Sequence, residues 1–374
     1  MKLCVIAAVL LLIAAVSGCV QQKPSETQAG GEIVIGFVDA LTGDGASYGQ
    51  VAKNAIELAV DEVNAKGGVN GKTLRVIYED GKCSGKDAAT AAEKLINVDK
   101  VKAIVGWSCS GEVLGAAPIT EKAKVIILDG YASNPDISQA GDYVFRTSYS
   151  DTISGEVLGK AMLKFSRVAA LVENTPYAQG VVKVFRGKFR ESLIAEESYL
   201  QESRDQRTQI TKLLGANPEA VLVAPQTAVT GGIDVKQLRE LGFQGPIYST
   251  IVIGGPEFYE QAGSASEGVL FQADPEAVDS AEKNRVFAAY RERYGKEPGY
   301  PYALASNWDA MMILADGLRA VGYDADKLKG YLYGVKGHAG LLGRIGFDEN
   351  GDVTGLNSRM KAWRNGKTVP AGQE

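Results

Sequence analysis

Residues 103–111 read AIVGWSCSG, an apolar run that breaks into a turn carrying Ser108, Cys109 and Ser110. A serine on a tight strand-to-helix turn is how many hydrolases expose a nucleophile, in the pattern Gly-x-Ser-x-Gly. Here Gly106-Trp107-Ser108-Cys109-Ser110 ends on serine, so the pattern is broken. A serine nucleophile also needs an imidazole as base. The chain has a single histidine, His338, in the glycine-rich stretch GVKGHAGLLG, which reads as a surface or turn position. The stretch GGVNGKT, Gly67 to Thr73, is one residue short of a phosphate-binding loop. It also follows a helical pattern and precedes a strand, the reverse of that loop's setting, and Asn70-Gly71 reads as a turn. No Gly-x-Gly-x-x-Gly follows the first strand. The sequence therefore assigns no catalytic residue, no cofactor and no metal site, and the chain reads as a binder.

The two ends of the charge scale point the same way. With 40 Lys and Arg against 45 Asp and Glu, the 374-residue chain carries a net charge of −5. A nucleic-acid partner is excluded, because phosphate binding needs a concentrated basic face.

At the N-terminus, Lys2 precedes LCVIAAVLLLIAAV, an apolar run of 14 residues. That is short for a bilayer span and suits the core of a signal peptide. The run ends Val16-Ser17-Gly18-Cys19, which resembles a bacterial lipobox, so residues 1–18 read as a lipoprotein signal peptide and Cys19 as the lipidation site. Residues 19–31, rich in Gln, Pro, Ser and Gly, read as a flexible tether. The expected location is outside the cytoplasm, held to the membrane through lipid only. Cys4 leaves with the signal peptide, so Cys83 and Cys109 remain, either as one disulfide or as two buried thiols.

These residues must be positioned by the elements around them. EIVIGFV, KTLRVIYED, VKAIVGW and KVIILDG read as strands, and SYGQVAKNAIELAVDEVNAKGG, KDAATAAEKLINVD and GEVLGAAPITEKA as helices between them. Apolar strands alternating with helices mean a parallel sheet covered on both faces. A second series follows DYVFRTSYSD, with strands RVAALVE, AVLVAP, PIYSTIV and EGVLFQ. The fold class is α/β, two doubly wound Rossmann-like lobes with a ligand cleft between the carboxyl ends of their strands. The last third is mostly helical and returns to the earlier sheets.

Five stretches, IGFVDALTGDGASYGQ, AVDEVNAKGGVNGKTLRVIYEDGKC, AIVGWSCSGEVLGAAPI, AGDYVFRT and ASEGVLF, occur in an order that resembles the type I periplasmic binding proteins. Within them the chain is most similar to the leucine/isoleucine/valine-binding proteins of ABC transporters. The resemblance implies a substrate-binding subunit that takes an amino acid, branched-chain first, and presents it to permease and ATPase subunits. It leaves open another small carboxylate or amide as ligand, or a ligand-sensing subunit of a signalling receptor. It also implies a Cys83–Cys109 disulfide, with Ser110 and Ser133 on the ligand carboxylate and Tyr48 and Tyr177 lining the cleft. Gln226 and Thr227, at a strand end of the second lobe, face the cleft as hydrogen-bond donors. Trp107, Tyr131 and Tyr302 are expected to make the pocket aromatic. The implied lobes are 32–148 with 273–346 and 149–272 with 347–374, crossing near 147–151, 271–275 and 345–349.

One position departs from the resemblance. The acid that pairs with a ligand ammonium falls at Ile251, which cannot neutralise a charge. Asp129, Asp205 and Asp309 are candidate substitutes.

Overall fold

The computed structural model describes residues 31–372; the signal segment, Cys4 and Cys19 lie outside that range, with nearly all of the tether. Strands β1 (Glu32–Asp39), β2 (Thr73–Asp80), β3 (Ala103–Gly106), β4 (Ile126–Asp129) and β5 (Val144–Arg146) form one parallel sheet. Their order is β2-β1-β3-β4-β5, so the direction of winding switches between β1 and β3. All four residues of β3 and of β4 are buried, as a sheet covered on both faces requires.

Helices α1 (Ala46–Ala65), α2 (Gly85–Asn97) and α3 (Ser110–Ala123) connect these strands. One sheet face packs Val38, Ile104, Ile127 and Trp107 against α2 and α3. The other packs Phe37, Val105 and Leu128 toward α1. Between α1 and β2, Asn70 and Gly71 both have positive φ (51° and 80°), while Val69 and Lys72 exchange backbone hydrogen bonds. This is the two-residue turn that Asn-Gly favours, and no phosphate loop.

The second sheet contains β6 (Val168–Glu173), β7 (Leu193–Tyr199), β8 (Ala220–Ala224), β9 (Ile247–Ser249) and β10 (Leu270–Ala273). They are parallel in the order β7-β6-β8-β9-β10, the same switch as in the first sheet. Helices α4 (Asp151–Met162), α5 (Pro176–Phe189), α6 (Arg207–Gly215), α7 (Ala228–Glu240) and α8 (Pro256–Ala262) belong with it.

Helices α9 (Ala281–Tyr294) and α10 (Pro301–Val321) return to α1, and α11 (Ala325–Tyr333) lies by β4. A small antiparallel sheet of β11 (Lys336–Gly340), β12 (Gly343–Phe347) and β13 (Val353–Thr354) follows. His338 therefore sits on a strand, half-buried, and not in a turn. Burial lowers the pKa of its imidazole. The chain then adds β14 (Arg359–Arg364) and β15 (Lys367–Pro370) antiparallel to the edge of the second sheet.

This placement moves the third crossing. Residues 348–352 stay with the first lobe, because Arg146 on β5 reaches Asp352 with Nε–Oδ1 2.7 Å and Nη2–Oδ2 2.9 Å. Arg146 also donates to the Asn134 carbonyl and to Ser138 Oγ. The crossing thus lies in residues 355–358, between β13 and β14, and not at 345–349. The lobe boundary expected at 346/347 shifts with it. The Arg146 side chain is 0% exposed, so loss of its partner leaves a buried charge. Asp352→Ala should cost about 3–5 kcal/mol, read as the shift in urea midpoint at constant slope.

Candidate functional site

The two sheets turn their carboxyl edges toward each other, and the winding switch of each lies on that edge. The turn after β3 is built from its own residues. Gly106 has φ of 103°, and a Cβ there would lie 2.6 Å from the Val38 carbonyl oxygen. Trp107 is also left-handed (φ 69°), its amide donates to Val38 O and its indole N–H to Ile104 O. Trp107 is buried among core side chains. It holds the turn and does not contribute to a pocket. Ser108 donates to Asp39 Oδ2 at 2.9 Å.

Cys109 is disulfide-bonded to Cys83. Glu112 clamps both cysteines: Oε1 accepts from the Cys83 amide at 3.0 Å and Oε2 from the Cys109 amide at 3.2 Å. Burial pushes the Asp39 carboxyl up to about 7. Burial, and then the nearby Asp39, hold the Glu112 carboxyl well above the usual range.

Ser110 opens α3, and its Oγ accepts from the amides of Ser133 (3.3 Å) and Asn134 (3.1 Å). Both bonds use the oxygen as acceptor, so the hydroxyl proton stays available for a further acceptor. Ser133 differs. Its hydroxyl donates to Asp151 Oδ2 at 2.8 Å, so donation to a ligand would cost that bond. Ser154 donates to the other oxygen of Asp151, whose carboxyl burial pushes up to about 6. Asn134, and not Ser133, caps the short turn that follows.

From the second lobe, Tyr177 follows Thr175, which caps α5. The Tyr177 hydroxyl is buried beside Thr250 Oγ1, and neither has a further hydrogen-bond partner among the described residues. Gln226 donates its backbone amide to Glu173 Oε2 and points Nε2 at Cys109 Sγ, 3.8 Å away across the lobes. The Thr227 hydroxyl oxygen caps α7 by accepting from the Thr230 amide and lies 3.1 Å from Thr230 Oγ1. Tyr48 accepts from the Ala228 amide at 3.0 Å, another bond between lobes.

Five tyrosine rings run in a row along the cleft. Tyr300 meets Tyr48 at 4.5 Å, and Tyr48–Tyr131, Tyr131–Tyr302 and Tyr302–Tyr149 each stand 5.8 Å apart. On one side of this row lies a cavity of about 460 Å³, lined in part by Ile251, Phe271, Asp274, Tyr300, Tyr302 and Lys361. None of Tyr48, Ser110, Tyr131, Ser133, Tyr177, Gln226 and Thr227 lines it. The lobes are shut around Ser110 and stand apart beside Asp274.

The three candidate acids serve the backbone. Asp129 Oδ1 accepts from the amides of Tyr131 and Ala132, and Asp309 accepts from Leu341 and Leu342. Asp205 is exposed and pairs with Arg207. The sequence reading missed Asp274, Asp151 and Thr250. Asp274 carried one signal, an acid before Pro275 at the end of an apolar strand. Among the described residues, no group of three or more His, Cys, Asp or Glu side chains could hold a metal.

A family profile described as periplasmic binding protein matches residues 32–366. The leucine-, isoleucine-, valine-, threonine- and alanine-binding protein of Pseudomonas aeruginosa is 27% identical over 352 residues, 92% of this chain and 93% of that protein. A branched-chain amino acid transporter substrate binding protein from Streptococcus pneumoniae, solved with isoleucine, has a TM-score of 0.81 at 28% identity. The match covers 90% of this chain and 97% of that one. A leucine binding protein from Thermotoga maritima also gives 0.81 at 27% identity, covering 91% and 98%.

The disulfide closes a loop with a sequence separation of 26. Replacing Cys83 and Cys109 together by serine should lower unfolding free energy by about 2–5 kcal/mol, measured by denaturant titration.

Proposed function

The chain belongs to the periplasmic binding protein family, and from that premise we propose that it is the extracytoplasmic solute-binding subunit of an ABC importer. It takes an amino acid, branched-chain first, into the cleft between the lobes. The closed form is then presented to the permease, whose ATPase partner powers uptake. Cys19 carries the lipid that holds the protein at the membrane. No step of the function is chemical.

The observation that carries this reading is the Ser110 turn. Its hydroxyl proton is directed to no acceptor among the described residues, and it stands at the start of a helix, where unpaired amides and the helix dipole favour an anion. A carboxylate there can be satisfied without a full positive charge. Bonds from both lobes, such as Tyr48 with Ala228, favour the closed form once ligand bridges them. Binding proteins named for branched-chain amino acids match over nine-tenths of the chain. A second reading, a carboxylate without an amino group, is favoured by Ile251, an apolar side chain on the cavity wall.

Thermal unfolding against a panel of amino acids, amides and organic acids separates these. A ligand at a hundred times its dissociation constant should add roughly 2.7 kcal/mol. A response to leucine, isoleucine or valine supports the first reading, and one confined to acids lacking an amino group supports the second. Ser110→Ala should weaken binding of the responding ligand by about 1–3 kcal/mol. Unchanged affinity would remove Ser110 from the site.

A further inference from the structure

An amino acid brings a positive charge into the cleft, and a buried cation needs a partner. We propose that Asp274 is the cation-recognising residue, taking the ligand's ammonium group through its unpartnered carboxylate oxygen. The assignment rests on the amino-acid reading above.

Asp274 follows β10 directly, where the chain leaves the second sheet for α9, and it lines the cavity. Its Oδ2 accepts from the Tyr131 hydroxyl at 3.1 Å, while its Oδ1 is buried with no hydrogen-bond partner among the described residues. A buried carboxylate oxygen without a partner is costly, and an ammonium would satisfy it. Desolvation already pushes this carboxyl up to about 7, which a bound cation would reverse.

Lys361 acts on the Asp274 carboxyl through its charge. Neither it nor Lys283 on the same cavity wall makes a hydrogen bond or ion pair with that carboxyl, and Lys283 pairs with Asp279. Lys361 lies on the same cavity wall, but its Nζ is 2.9 Å from Glu276 Oε1, and Arg359 holds the other oxygen of Glu276. The other acids are engaged or out of reach. Both oxygens of Asp151 accept serine hydroxyls. Asp129 also keeps one oxygen unpartnered, but it does not line the cavity.

The surroundings suit an amino acid. Tyr131 belongs to the turn whose next residue, Ser133 after Ala132, donates its amide to Ser110, so one tyrosine side chain links the anion-binding turn to Asp274. Tyr302 and Tyr300 line the same cavity as the carboxylate. Ile251 and Phe271 complete the wall with apolar surface for a side chain. The acid absent at 251 is thus supplied within the same cavity from a different strand end.

The test titrates the mature protein and Asp274→Asn with leucine, isoleucine, valine and 4-methylpentanoate, which is leucine without its amino group. Calorimetry gives the affinities, and circular dichroism with thermal unfolding checks the fold. Wild type should prefer leucine to 4-methylpentanoate by roughly tenfold or more. Asp274→Asn should lose roughly 10- to 100-fold in leucine affinity with 4-methylpentanoate unchanged. Equal losses for both ligands, or none for leucine, would overturn the assignment and leave the amino-acid reading standing. If the variant fails to fold, the wild-type preference decides alone: equal binding of leucine and 4-methylpentanoate rejects ammonium recognition. A wild type that binds none of the three amino acids overturns reading and assignment together.

Discussion

The site depends on one buried carboxylate. Glu112 accepts the backbone amides of both bonded cysteines, one on each oxygen, and so ties the end of β2 to the start of α3. Everything downstream of that clamp is set by it: the direction of α3, the position of Ser110 and the amides that Ser110 gathers from the next turn. The second lobe repeats the device without a disulfide. Glu173, at the end of β6, accepts the Gln226 amide on one oxygen and the Glu202 amide on the other. In each lobe a desolvated acid joins two loops at the winding switch, where open α/β sheets place their ligands.

The two clamps fix the facing loops within each lobe. Bonds also cross the cleft, some of them between residues that the clamps hold, as where Gln201 donates to the Cys83 carbonyl. Tyr48 reaches Ala228, Gln226 reaches Cys109, Tyr131 reaches Asp274 at the crossing, and Arg204 pairs with Asp44 at 2.7 Å. Arg204 and Asp44 are partly exposed, so that pair contributes little alone. A ligand that bridges Ser110 and the second lobe adds directly to this set. That is the differential interaction a population shift requires.

Much of the fold was legible because parallel strands are buried on both faces and read as unbroken apolar runs, as in AIVG and IILD. The Asn70-Gly71 turn was equally plain. The hairpin of β14 and β15 was not foreseen, since its pattern is mixed and its pairing partner lies nearly ninety residues earlier in the chain. The third crossing was misplaced for a similar reason: residues 348–352 are held to the first lobe by distant partners, Arg146 and Ser138 on Asp352 and the Arg146 amide on the Gly351 carbonyl. In the site, Ser110 and the cysteines stood out by their place in a turn. Thr227 looked the same as Ser110 on sequence, yet its hydroxyl caps a helix. Asp274 carried only its place before Pro275 at a strand end, because nothing local distinguishes an acid left without a partner from the acids that cap turns.

A crystal structure of the mature protein with isoleucine would show whether Ser110 and Asp274 hold the two ends of one ligand. The ligand should lie between the lobes, its carboxylate about 3 Å from Ser110 Oγ and its ammonium at hydrogen-bond distance from Asp274. Isoleucine held by one lobe alone, or bound away from both residues, would contradict that placement.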